Sequence, residues 1–119
     1  MVILLSIARL NQSIKVLNKV KGCHFENSYE GYRFNQFVLA VEEHLQPYQK
    51  LLRDCYSNGC AEDDEFHKYM MPTLLHEVEI EIDKKFSFLD MNNIDDLTTD
   101  DIDYLINKIK IFESPVIQQ

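Results

Sequence analysis

Three cysteines and four histidines carry the widest chemical reach in this chain: Cys23, Cys55 and Cys60, with His24, His44, His67 and His76. Cys23-His24 and Cys55-x4-Cys60 offer thiolate and imidazole, the ligand types of a zinc site. Their placement opposes that chemistry. A helix forecast from Ser28 to about Tyr56 lies between them, and at about 1.5 Å per residue it holds the two pairs roughly 40 Å apart unless the chain folds sharply at Pro47. Cys55 also falls on the apolar seam of that helix, where a small buried hydrophobe belongs. The histidines are scattered over different elements. His44, beside Glu42 and Glu43, reads as part of a solvated face, and none of the four adjoins a serine or cysteine in a nucleophile motif.

Carboxylates are the second group to weigh. The run from Asp90 to Asp96 has the spacing of a calcium loop in outline, but Asp95 stands where the sixth-position glycine belongs and Ile94 occupies the fifth position. A loop leading into a capped helix accounts for it better. Glu77, Glu79 and Glu81 place three carboxylates on one face of a strand, able to meet a cation or a basic partner, or to serve as the wet side of an amphipathic strand. Glu62, Asp63, Asp64 and Glu65 form a second acidic group. Together these seven residues are the candidate interaction face. The chain contains only Gly22, Gly31 and Gly59, so it has no glycine-rich phosphate loop, which excludes an NTPase or a dinucleotide enzyme. The pattern predicts a non-enzymatic protein with no cofactor and no metal.

The 119 residues fit one domain, forecast over 1–113 with a frayed tail at 114–119. No apolar run approaches the roughly 18 residues of a membrane span, and Met1–Leu5 is too short for a signal peptide. A sparse, odd cysteine count suits a reducing compartment, so the expected location is cytoplasmic. The net charge of −8 is unevenly spread. Residues 1–60 carry seven basic against five acidic groups, a balance of +2, whereas residues 61–103 carry fourteen acidic groups against three lysines, a balance of −11. Such an acidic half repels phosphate backbones, excluding direct nucleic-acid binding and leaving a protein partner or a second copy of the chain.

The elements follow from periodicity. Ser6 can cap a first helix over about 6–21, with Ile7, Leu10, Ile14 and Leu17 on its apolar face and Gly22 as its stop. Phe34, Val38, Val41, Leu45, Tyr48, Leu52 and Cys55 step by four and three through a long second helix that Pro47 kinks and Ser57-Asn58-Gly59 ends. The short intervening loop makes these two helices antiparallel neighbours. An acidic start at 61–65 opens a third helix through Phe66, Met70 and Leu74, interrupted by Pro72. Val78, Ile80 and Ile82 then alternate with glutamates as a half-buried strand, and Asp83-Lys84-Lys85 turns the chain toward Phe86 and Phe88 as a β-hairpin. A lone hairpin is marginal in water, so it must pack on the helices, recruit Val2–Leu5 as a further strand, or pair with another copy. Thr98 with Asp101 forms a capping box, and Leu97 with Ile102 a hydrophobic staple, for a last helix that buries Ile102, Leu105, Ile106 and Ile109 and closes at Pro115.

This order of elements resembles small helical proteins of tailed bacteriophages. The features that carry the resemblance are Tyr48-Gln-Lys-Leu-Leu-Arg-Asp-Cys-Tyr56, Glu77-Val-Glu-Ile-Glu-Ile82 and Leu97-Thr98-Thr-Asp-Asp101-Ile102-Asp-Tyr-Leu105, and they span most of the chain; Pro47 and Pro72 depart from the simplest form of the pattern. The motifs are structural and transfer no catalytic residue. The expected fold is mainly α (α+β): an antiparallel helical hairpin with a third helix, a small β-hairpin and a C-terminal helix. The expected function is protein interaction, with self-assembly as a homo-oligomer. The resemblance implies a structural or assembly accessory in the host cytoplasm or the virion. The alternative is an acidic inhibitor of a host nucleic-acid-binding or defence protein, with the carboxylates in a basic cleft.

Overall fold

The computed structural model describes residues 1–87 and 96–113. Phe88, the Asp90–Asp95 part of the calcium-like loop, Pro115 and the forecast tail lie outside them.

The fold is mainly helical with one two-stranded antiparallel sheet. The partner of the glutamate-rich strand is the N-terminal segment. Strand β1, Val2–Ser6, pairs with β2, Glu77–Glu81, setting Val2 opposite Glu81, Leu4 opposite Glu79 and Ser6 opposite Glu77. The Ile82 N–H to Met1 carbonyl bond and the Ile7 N–H to His76 carbonyl bond, both 2.9 Å, continue the ladder at its two ends. The hairpin expected through Phe86 is therefore corrected. After Lys85 the chain turns inward, and Phe86 makes a single parallel bridge to Phe112. Its N–H donates to Ile111 at 2.8 Å, and Glu113 donates to its carbonyl at 2.9 Å. Burial decides between the two pairings: Phe86 is enclosed among phenylalanine rings, while β1 brings Ile3 to the core beside Ile80.

Ser6 caps helix α1, Ile7–Leu17, by accepting from the Arg9 N–H at 3.1 Å. The helix ends short of the forecast residue 21, and Gly22–His24 form one 3-10 turn. The turn brings Gly22 against helix α2, Ser28–Ser57, where a Cβ placed on Gly31 would meet the Gly22 carbonyl oxygen at 2.5 Å. Gly31 is a contact point between backbones. Asn27, one residue before the forecast Ser28, supplies the α2 cap.

The helix runs unbroken through Pro47, which is exposed, so the carbonyl of exposed Glu43 that its ring leaves unbonded can face water. At about 1.5 Å per residue, α2 is roughly 45 Å long. Phe34, Val41, Leu45, Tyr48 and Cys55 of its ladder are buried, with Val38 and Leu52 half-buried. Phe37, off the ladder, is also buried, and it widens the apolar face toward Phe86.

Helix α3, Asp64–Leu74, is capped by Asp63 and continues through Pro72. Helix α4 is short, Thr99–Asp103, and has the capping box of Thr98 and Asp101. It continues as a π-helical turn, Tyr104–Lys108, and Lys110 at φ 57° then reverses the chain, so the last helix stops well before Pro115. Leu105 and Ile109 are buried as expected, and Ile102 and Ile106 are half-buried. Two polar contacts dock this end on α1 and the residues just past it. Lys19 pairs with Asp101 at 2.8 Å, and its hydrogen bond holds the Asp101 carboxyl below the usual aspartate range. Buried Ser13 donates to the Arg9 carbonyl at 2.6 Å and shares a 2.9 Å hydrogen bond with the Tyr104 hydroxyl.

Gly31→Ala tests the backbone contact. The new methyl must push the 22–24 turn away from α2 and is expected to destabilise the chain by about 1–3 kcal/mol, measured by urea denaturation. At a merely permissive helix position the same change would stabilise.

Candidate functional site

The seven candidate carboxylates do not form one face. Asp63 is committed to folding: it accepts from the Phe66 N–H at 2.9 Å as the α3 cap, with Asp64 and Glu65 in the first turn, where the helix dipole favours negative charge. Glu62 accepts a short hydrogen bond from the Tyr56 hydroxyl, which pushes the Tyr56 phenol up. Glu65 stands 4.0 Å from Lys68. Helix α3, roughly 16 Å long for its eleven residues, separates this group from Glu77, Glu79 and Glu81.

The strand glutamates form a true row, spaced by roughly 6.8 Å at two residues per step. All three are exposed, and no cation among the described residues pairs with them. The sheet adds what the sequence did not announce. Residues directly opposite each other point to the same side, so Val2, Leu4 and Ser6 share the open face with the glutamates. Val2 is 59 % and Leu4 55 % exposed. Ile3, Val78 and Ile80 face inward.

The backbone register matters as much as the side chains. Because Met1 and Ile82, and Ile7 and His76, are hydrogen-bonded across the ladder, Ile3–Ile80 and Leu5–Val78 are hydrogen-bonded pairs too. Val2, Leu4 and their glutamate partners occupy the alternate positions, with N–H and C=O directed away from the sheet. Among the described residues no backbone group answers those of Val2 and Leu4. The molecule thus presents two strand edges of opposite character: β1 uncharged and aliphatic, β2 carrying three carboxylates.

Two of the surface clefts border α2. One, of about 220 Å³, lies between α2 and β2 and is lined by Arg33, Phe37, Ala40, Ile80 and Ile82. Its buried Arg33 guanidinium donates to Glu30 at 2.8 Å and to the Lys84 carbonyl at 2.7 Å, and sits over the Phe86 ring. That engagement makes Arg33 a structural residue. The second cleft, of about 490 Å³, lies between the end of α2 and α3 on a floor of Leu51, Cys55, Phe66 and Tyr69.

Comparison with known families, curated proteins and solved structures gives no match.

Cys23 precedes α2, while Cys55 and Cys60 lie at its far end, so the helix separates the two cysteine groups by its full length. Among the described residues no three His, Cys, Asp or Glu side chains converge as metal ligands would. No described helix is long and apolar enough to cross a membrane. The sequence reading missed Val2 and Leu4 as surface residues. Its only available signal was a short apolar run ending at the Ser6 cap, because Val-Ile-Leu-Leu has no polar residue to mark which side faces water.

The two acidic groups are separable by mutation. Asp63→Ala removes a cap and is expected to cost about 1 kcal/mol of stability. Replacing Glu77, Glu79 and Glu81 together by glutamine is expected to stay within about 0.5 kcal/mol of the parent. Thermal denaturation of both variants beside the parent checks the contrast.

Proposed function

We propose that this chain is a non-enzymatic protein-interaction module that assembles by adding a strand to the free edge of β1, with a second copy as the occupant. The observation that carries the reading is the contrast between the two strand edges. Antiparallel self-pairing through β2 sets glutamates against glutamates, which like-charge repulsion opposes. Self-pairing through β1 sets Val2 and Leu4 against their counterparts and supplies backbone partners to both copies. The product is a four-stranded sheet with a two-fold axis, the aliphatic rows at its centre and the carboxylates on its flanks. Proteins normally protect an edge of this kind with charge or proline, and Val2–Ser6 has neither.

The resemblance to tailed-bacteriophage proteins gives this activity a setting: a structural or assembly accessory in an infected host. An acidic inhibitor of a nucleic-acid-binding protein is supported less well. Phosphate mimicry needs a continuous run of charge, whereas the carboxylates here are split across the length of α3, and those at its start serve the helix.

Sedimentation velocity over a range of protein and salt concentrations tests the reading. A reversible dimer that persists at high salt is expected, since apolar and backbone contacts are little screened. Leu4→Lys is expected to weaken it at least tenfold while preserving the monomer fold, because the new ammonium faces Glu79 within the chain but another lysine across the seam. A salt-sensitive complex indifferent to Leu4→Lys, or retention only on a basic host protein released at moderate salt, would overturn the proposal in favour of the acidic inhibitor.

A further inference from the structure

The end of α2 holds a pair of cysteines, Cys55 buried on the apolar face of the helix and Cys60 exposed just past it. The helix stops at Asn58, and Gly59 at φ 77° turns the chain left-handed. The Cys60 N–H then donates to the Cys55 carbonyl at 3.0 Å and the Gly59 N–H to the Tyr56 carbonyl at 3.1 Å. These two bonds define a Schellman motif, in which the residue past the glycine packs against the residue five positions earlier. Those two positions usually carry hydrophobic side chains; here they carry two thiols.

A direct backbone hydrogen bond between the two residues keeps their Cα atoms within the roughly 4.4–6.8 Å that disulfides span. Cys55 and Cys60 line the same cleft. They differ in access, Cys55 being buried and Cys60 exposed. Cys60, the exposed thiol, is the one a small disulfide reaches first, while burial, ahead of the neighbouring Cys60, pushes the Cys55 thiol up.

We propose that Cys55 and Cys60 form a thiol modification site that small disulfides of the glutathione class oxidise reversibly to an intramolecular disulfide. In the first step the Cys60 thiolate attacks one sulfur of the small disulfide, forming a Cys60 mixed disulfide and releasing one small thiolate. In the second, the Cys55 thiolate attacks the Cys60 sulfur, the Cys55–Cys60 bond forms, and the second small thiolate leaves. The two cysteine protons pass to the released thiolates. The protein loses two electrons and the small disulfide gains them. The resulting bond closes the helix cap covalently and fixes the wall that Cys55 gives to the α2–α3 cleft.

The test uses the full chain with Cys23→Ser, which removes the exposed third thiol. After treatment with oxidised glutathione, thiol titration in denaturant is expected to fall from two groups to none. The intact mass should drop by two hydrogens with no glutathione retained, and dithiothreitol should restore both thiols. With Cys55→Ala added, Cys60 should keep one glutathione. Peptide mapping of the wild-type chain should show the same Cys55–Cys60 cross-link, independent of how the variants fold. Retention of glutathione on Cys60 in the Cys23→Ser chain, with Cys55 still free, would overturn the proposal. So would cross-links that form only between molecules.

Discussion

The packing of Phe34 against rings from three other parts of the chain is the constraint on which the rest of this structure depends. Phe25, from the segment before α2, lies 5.1 Å from the Phe34 ring; Phe86, past β2, meets it edge-on at 5.6 Å; Phe112, near the end of the described residues, lies 6.0 Å away. Such pairs contribute roughly 0.5–1.5 kcal/mol each beyond the area they bury. Their structural consequence is larger, because one helix position ties together segments from opposite ends of the sequence. Arg33, the neighbour of Phe34, closes the cluster from the solvent side by covering the Phe86 ring and binding the Lys84 carbonyl. Phe86 is held inward instead of running back along β2, and β2 pairs with the N-terminal segment.

That exchange of partners creates the surface from which function is argued. Pairing β1 with β2 buries Ile3 beside Ile80 and, by the two-residue period of a strand, forces Val2 and Leu4 outward. The exposed aliphatic pair is thus a consequence of core formation. The same register turns the peptide groups of Val2 and Leu4 away from the sheet, so among the described residues exposed side chains and unpaired backbone coincide on one edge. The glutamates of β2 occupy the other edge and oppose pairing there, which leaves the direction of assembly to β1.

Much of this was legible in the sequence, and the boundary between legible and illegible is physical. The Ser6 cap, the α2 ladder, the Asp63 start and the capping box of Thr98 and Asp101 rest on contacts within one or two turns, and the chain folds as those signals read. The half-buried strand at Glu77–Glu81 was equally clear from alternation. What the sequence left open was which strand β2 would choose, because that choice depends on whether Phe86 is better buried among rings than paired along a strand. Arg33 gave no local sign that it would be buried, since its partners are one turn away in Glu30 and fifty-one residues away in Lys84. The placement of the two acidic groups was not readable for the same reason: only the course of α3 sets the distance between groups near in sequence.

Residue-resolved amide hydrogen exchange at low and high protein concentration addresses the central claim most directly. The Ile3 and Leu5 amides, bonded within the ladder, are expected to be protected at every concentration. The Val2 and Leu4 amides are expected to exchange freely when the chain is dilute and to become protected, by tenfold or more, as it associates. Protection of Val2 and Leu4 in the dilute monomer, or continued free exchange while the protein associates, would contradict assembly through the β1 edge.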